Sequence, residues 1–316
     1  MIDIKLLEQL CLCNGISGDE GNVRNLIINE IKDCADDIKT DNLGNLIVFK
    51  KGKKSAKSKL MVSAHMDEVG LMVTDITSDG YLKFDEVGGI DRRVLPGKRV
   101  CVGKNGLNGV IGVKPIHLTN GDEKTAVPKM NDMYIDIGAE SREDALKYVN
   151  YGDGINFEGD FKINGKTVVT KALDDRFGCY VLINLIKSEP EYDMYFTFVV
   201  QEEVGLRGAR PAAFTVNPDF ALVIESTTAA DVAEVDASHQ VCNLSKGATV
   251  TVMDRATVYD KEMISAAFEL AEKNNIAVQY KRAVAGGNDS GAIHQSRGGV
   301  RTLAVSLPSR YIHAPS

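Results

Sequence analysis

Hydrophobic positions recur along this chain in two rhythms, one helical and one strand-like. Residues 4–13 mix apolar and polar side chains at helical spacing, and Ser17 followed by Glu20 matches a capping box, which predicts a second helix to about Lys32. After the turn signal Asn42-Leu43-Gly44-Asn45 comes an apolar stretch at 46–49, then a lysine-rich loop at 50–59 that reads as the solvated tip of a hairpin. Four later runs, 60–63, 195–200, 220–224 and 302–305, are rich in β-branched or aromatic residues and suit strands covered on both faces. Helical patterns at 175–187 and 259–274 separate them, so the alternation predicts an α/β fold with a wound sheet.

Between Gly70 and about Gly165 the rhythm changes to short alternating runs broken by Gly, Asp and Asn. This predicts a small β-rich domain at 70–165 inserted into a discontinuous α/β domain formed by 1–69 and 166–316. No internal repeat or low-complexity segment interrupts either part.

Composition changes the picture by exclusion. With 44% hydrophobic and 26% charged residues among 316, the chain has the make-up of a folded globular protein. Lys and Arg number 37 against 44 Asp and Glu, and a formal charge of −7 gives no reason to expect nucleic acid or an anionic membrane as partner. No stretch approaches the roughly 20 apolar residues of a bilayer span, and the start lacks a basic region before a long apolar core, so a cytoplasmic protein is expected. The six scattered cysteines read as reduced thiols; Cys11 and Cys13, two apart on a helix, do not share a face and read as packing residues.

Ligands of open α/β sheets bind beyond the carboxyl ends of strands, which makes the residues there informative. Run 60–63 leads into His65, Asp67 and Glu68; run 195–200 into Glu202 and Glu203; run 220–224 into Glu225; run 302–305 into a loop reaching His313; and 168–170 into Asp174 and Asp175. Carboxylates gathered on one edge repel unless a cation neutralises them. Two imidazoles with several carboxylates suit Zn²⁺, Co²⁺ or Mn²⁺ better than Ca²⁺. If Glu202-Glu203 is extended, the two side chains diverge, one able to hold metal and the other to act as general base on a metal-bound water. The residues thus describe metal-assisted hydrolysis with two ions.

Five ordered segments carry a specific resemblance: Ala64-His65-Met66-Asp67-Glu68, Ala172-Leu173-Asp174-Asp175-Arg176, the stretch from Gln201 to Ala209, the stretch from Gly286 to His294, and Arg310-Tyr311-Ile312-His313. Together with Gly88-Gly89 and Lys114-Pro115-Ile116-His117 they resemble the M42 family of metallo-aminopeptidases over nearly the whole chain. The resemblance implies a zinc-exopeptidase-like sheet with an inserted small β-barrel. It also implies two divalent ions per subunit, His65 and Glu225 on one, Glu203 and His313 on the other, and Asp174 bridging. Glu202 is then the general base, Asp67 orients His65, and Asp289 with Gly287 belongs to the substrate pocket. Peptides are the implied substrates, and dimers formed through the insert are expected to assemble into a dodecamer.

Two departures stand out: Glu225 occupies a position where the family usually has Asp, and the sequence stops three residues after His313, where family members continue into a further helical segment. Other residues weigh less. Ser290 lacks a G-x-S-x-G setting and reads as a helix cap, His294 as packed, and His117 as a candidate for a neighbouring subunit's site; His239 matches no ligand position. The alternatives are a glycoside hydrolase, since paired carboxylates also serve that chemistry, a carboxypeptidase on the same core, and a scaffold whose ions only stabilise an assembly. The absence of Trp speaks against a sugar-binding groove, although ten Tyr and ten Phe remain.

Overall fold

The computed structural model describes residues 3–315. In chain order the first part is α1 (Ile4–Leu12), α2 (Gly21–Ile31), β1 (Asp37–Thr40), β2 (Leu46–Lys50) and β3 (Leu60–His65). The middle holds β4 (Gly70–Ile76), β5 (Leu82–Val87), β6 (Arg99–Val102), β7 (Leu107–Gly112), β8 (Tyr134–Asp136), α3 (Arg142–Ala145) and β9 (Gly154–Phe157). The remainder is β10 (Lys162–Asn164), β11 (Thr167–Val169), α4 (Leu173–Lys187), β12 (Met194–Val199), α5 (Ala209–Val216), β13 (Phe220–Thr228), β14 (Ala248–Val250), α6 (Lys261–Lys273), β15 (Val278–Tyr280), α7 (Ser290–Ile293) and β16 (Arg301–Ser309).

The first and last parts share an eight-stranded sheet of order β1-β2-β12-β3-β13-β16-β14-β15, parallel from β12 through β16 at its centre. Side chains of the central strands alternate between two cores. Val62, Ala64, Phe196 and Phe198 pack with α1, α2 and α4, whereas Met61, Ala221, Val223 and Ala304 pack with α5 and Tyr259. Burial on both faces explains why these strands read as unbroken apolar runs. The four central strands β12, β3, β13 and β16 run parallel, with α4 and α5 among the elements that return the chain, so His65, Glu202, Glu203, Glu225 and His313 come to the same edge of the sheet.

The middle strands close into a six-stranded barrel, β4-β5-β8-β7-β6-β9, around a separate core that includes Leu71, Phe84, Val100, Ile111, Ile135 and Ile155. The expected boundary at 165–166 falls in the turn of the β10–β11 hairpin, beyond the last barrel strand. Among the described residues no helix is long and apolar enough to cross a membrane.

Several local expectations are corrected. The 50–59 loop is no hairpin tip: β12 lies between β2 and β3, and the loop's backbone bonds to Pro190 and Glu191 as it crosses. Ser17 and Glu20 form no capping box, because α2 has no side-chain cap and the Ser17 hydroxyl donates to Asp67 Oδ2 at 2.6 Å. Run 168–170 belongs to the separate β10–β11 hairpin and not to the main sheet. Strands β13 and β16 outrun the predicted ends by pairing with each other as far as Thr228 and Ser309, so Glu225 sits within a strand, opposite Ser306. Short β14 and β15 and the eight-residue α5 carry too little periodicity to be separated in sequence from their loops.

Candidate metal centre

Sheet register brings the candidate ligands level. Val199 pairs with His65 and Val223 with Ser63, so Glu225, two residues further along β13, comes abreast of His65. Asp174 enters from the N-terminal end of α4, where it keeps non-helical backbone angles (φ −86°, ψ 106°). His313 arrives on the turn after β16 with a left-handed φ of 58°.

The side chains then meet in two sets that share one carboxylate. His65 Nε2 lies 3.3 Å from Asp174 Oδ1 and 3.3 Å from Glu225 Oε1. His313 Nε2 lies 3.4 Å from Asp174 Oδ2 and 3.3 Å from Glu203 Oε2. One oxygen of Asp174 thus faces each imidazole. The ligand atoms of His65, Asp174 and Glu225 fall within 4.8 Å of one another, as do those of Asp174, Glu203 and His313; a third such group joins His65, Glu202 and Glu203. The six residues are brought together from five segments.

Burial makes this cluster unstable without added positive charge. It pushes Glu225 up to about 7 and Glu203, with Asp174 beside it, up to about 8, and it raises Glu202 well above the carboxylate range. Burial also works to raise Asp174, but the facing imidazoles of His313 and His65 hold it low. The bond to Asp174 lifts His313 to about 9. Burial opposes protonation of His65, yet Glu225, Asp174 and Asp67 together carry it well above its usual value. These shifts all favour added positive charge, which a bound cation would also supply. Asp174 Oδ1 and Glu225 Oε2 are buried with no hydrogen-bond partner, which native interiors rarely tolerate without an ion or water. Mixed nitrogen and oxygen donors with orphaned carboxylate oxygens fit divalent zinc, cobalt or manganese.

Asp67 faces His65 with both its main chain and its carboxylate. The closer partner of His65 Nδ1 is the Asp67 main-chain carbonyl at 3.0 Å, with Oδ1 at 3.6 Å. In the neutral ring, donation from Nδ1 to that carbonyl would leave the Nε2 lone pair toward Asp174 and Glu225. The Asp67 carboxylate also accepts the amides of Glu202 and Glu203 at 3.0 and 3.1 Å. These two glutamates are not extended: the amides of Gly205 and Leu206 both bond back to the Glu202 carbonyl and form a turn.

Asp289 is fully buried, and neither carboxylate oxygen has a partner; burial raises it, and the charges of His65 and Glu225 reach it. Gly287 is exposed, with Ala256 the nearest side chain to a Cβ placed there. Ser290 does not cap α7; its amide rests on Asn288 Oδ1 at 2.9 Å. His294 is half-buried against the Ser290 carbonyl, while His117 and His239 are exposed on short 3₁₀ turns. Cys11 is buried in the first core, as packing requires, and none of the three ligand groups includes a cysteine.

Sequence reasoning missed the support behind the centre. Arg176 is wholly buried, donating to the carbonyls of Met66, Leu10, Cys13 and Gly15 and to Glu68 Oε1. Arg176 immediately follows the two aspartates of the motif; that adjacency was its only sequence signal. A cleft lined in part by Val69, Phe157, Leu173, Tyr311 and Ile312 opens beside Asp174, Glu203 and His313 and reaches the barrel through Phe157.

Comparison with known proteins adds a family. The sequence pattern described as M42 glutamyl aminopeptidase matches residues 44–316. The chain is 34% identical over 326 residues to the lysyl aminopeptidase of Pyrococcus furiosus, covering 99% of this chain and 91% of that one. Its fold superposes on the TET1 peptidase of Pyrococcus horikoshii, which assembles into a tetrahedron or a large octahedral shell, with TM-score 0.86, 40% identity and coverage of 99% and 92%. A Thermotoga maritima structure described as an endoglucanase matches with TM-score 0.81, 39% identity and coverage of 98% and 89%.

Proposed function

Because the chain belongs to the M42 family of glutamyl aminopeptidases, hydrolases of peptide bonds, we propose that His65, Asp174, Glu203, Glu225 and His313 form a two-metal centre that removes N-terminal residues from peptides. The observation that carries this reading is the division of the Asp174 carboxylate between His65 and His313. His65 and Glu225 would hold one divalent ion, Glu203 and His313 the other, and Asp174 both; zinc or cobalt suits the donors, and manganese is a third choice. What such ions supply when bound is Lewis acidity toward the scissile carbonyl and its developing negative charge.

Glu202 is the general base. As the oxygen of water bonds to the carbonyl carbon, Glu202 accepts its proton, and it returns a proton to the departing amine nitrogen as the C–N bond breaks. Burial, which raises Glu202, brings its proton affinity closer to that task. Asp67 holds the turn that presents Glu202, and Asp289 with Gly287 contributes to recognition of the substrate's N-terminal end. We assign residues 1–69 and 166–316 to catalysis and the 70–165 insert to dimerisation, with dimers assembling further into a dodecamer as tetrahedral relatives do. Six unpaired cysteines suit a reducing compartment, and we place the enzyme in the cytoplasm.

The test is hydrolysis of aminoacyl p-nitroanilides and of a cello-oligosaccharide, each before and after chelation and after restoring Zn²⁺, Co²⁺ or Mn²⁺. The anilides should be cleaved, lose cleavage on chelation and regain it with metal. Cleavage of the sugar instead would transfer the site to glycoside hydrolysis.

A further inference from the structure

Both glutamates of the centre hang from a segment whose backbone is held from outside. The amides of four consecutive residues are each caught by a side chain: Val200 by Asn45 Oδ1 at 2.9 Å, Gln201 by Glu20 Oε1 at 3.2 Å, Glu202 by Asp67 Oδ1 at 3.0 Å and Glu203 by Asp67 Oδ2 at 3.1 Å. Gln201 itself sits at a φ of 57°, a left-handed conformation that a non-glycine residue keeps only when its surroundings impose it. Glu20 Oε1 also accepts the Gly18 amide at 2.7 Å, and Ser17 donates to Asp67 Oδ2 at 2.6 Å. Glu20 stands at the N-cap of α2 yet gives no side-chain hydrogen bond to that helix. Ser17 and Glu20 are both buried. A buried carboxylate placed at a helix start and directed away from it is serving another element.

We propose that Ser17 and Glu20 are positioning residues for the reaction: they form a strut from the start of α2 that fixes the Gln201–Glu203 turn and so aims the Glu202 carboxylate. The inference rests on the reading of Glu202 as general base. Glu20 acts on the residue adjacent to Glu202 and touches no proposed ligand side chain. Its loss should therefore lower turnover while leaving substrate affinity and metal content in place.

The experiment compares Glu20→Gln, which keeps an acceptor oxygen for Gln201, with Glu20→Met, which fills similar space without one. The full-length, metal-loaded enzyme is assayed on leucine p-nitroanilide, with metal content and Tm measured in parallel and Glu202→Gln as control. For Glu20→Met, kcat should fall tenfold or more with KM within twofold and two metals retained; Glu20→Gln should restore kcat to within threefold of the parent. A folded Glu20→Met enzyme with kcat within twofold of the parent overturns the proposal, as does equal impairment of both variants. If Glu20→Met does not fold, Ser17→Ala tests the same strut: a three- to tenfold lower kcat at unchanged KM supports it, and unchanged kcat overturns it. Full turnover in Glu202→Gln would instead remove the base assignment, which separates that failure from failure of the strut.

Discussion

Lys171 Nζ lies 2.7 Å from Glu68 Oε1, both side chains being almost wholly removed from solvent. The pair ties the segment leading into Asp174 to the one leaving His65, so it fixes the spacing of the two segments that carry these candidate ligands from behind. Removing one partner strands a buried charge, which typically costs about 3–5 kcal/mol, although Arg176 remains beside Glu68 and softens the loss. Lys171→Met should destabilise the protein by about 3 kcal/mol in chemical denaturation at pH 7. A change below about 0.5 kcal/mol, the size seen for surface substitutions, would show that Arg176 alone compensates Glu68.

Glu202→Gln separates base from ligand. The amide keeps the size and the backbone contact to Asp67 but cannot accept the proton, and general-base catalysis is typically worth about 10²–10⁴ in rate. Turnover should drop by that factor with two metals per subunit still present by mass spectrometry. Loss of one metal would mean that Glu202 is a ligand and that Glu203 has the other role.

The metal-free protein should lose stability as pH rises. Glu225 and Glu203, pushed up to about 7 and 8, hold protons in the folded state over a range where the unfolded chain has released them. The folded form therefore binds more protons above about pH 4.3, and stability falls with pH through that window. His313, lifted to about 9 by Asp174, adds the same sign: its contribution is complete below about 6.5 and vanishes as pH passes 9. Thermal melts of chelated protein at pH 5, 7 and 9 should show a Tm decreasing by several degrees, and added zinc should abolish the decrease because the ligands must be deprotonated to bind. A chelated protein with rising Tm would contradict the protonated cluster.

The legible parts of this chain were those where burial imposes a pattern. Central strands covered on both faces, such as β3 with Met61 to Ala64, read directly, and the acidic and histidine residues toward their carboxyl ends marked the candidate centre. What failed was local pairing. Ser17 and Glu20 have capping-box spacing, but their side chains are taken by Asp67 and Gln201, partners far along the chain that no local pattern specifies. The 50–59 loop read as a hairpin because neighbours in sequence usually pair, whereas β12 arrives from far along the chain to lie between its strands. Asp67 was found from its spacing to His65, but only coordinates could show that its main-chain carbonyl also lies against the ring, nearer than the carboxylate.

The proposed assembly through the insert predicts a surface effect. Ile116, Leu118 and Val127 are exposed apolar residues between β7 and β8, with Ile116 66% accessible, an expensive position for such a side chain unless another subunit covers it. Ile116→Asp with Leu118→Asp should shift sedimentation toward smaller species while leaving the melting temperature of the fold little changed. An unchanged sedimentation profile would place the subunit contacts elsewhere.

The end of the peptide that is cut follows from which charges are free to meet it. A carboxypeptidase needs a basic clamp for the terminal carboxylate, and an aminopeptidase needs acceptors for the terminal ammonium. Arg176 is the base closest in sequence to the ligands, and it cannot serve as that clamp: it is fully buried and already bonded to four carbonyls and Glu68. Lys171 is likewise buried and committed to Glu68. On the acidic side, Asp289 has two carboxylate oxygens without partners, and Glu202 lies within reach of its charge. Two of the neighbouring bases are thus committed to protein partners, whereas Asp289 is not. Acetylating the N-terminus of a good peptide substrate should therefore lower kcat/KM by at least a hundredfold, about 2.7 kcal/mol of lost recognition, while amidating the C-terminus should change it less than threefold. The opposite pattern with the same peptide and its two blocked forms would make the enzyme a carboxypeptidase, with its clamp supplied by a base other than Arg176 or Lys171.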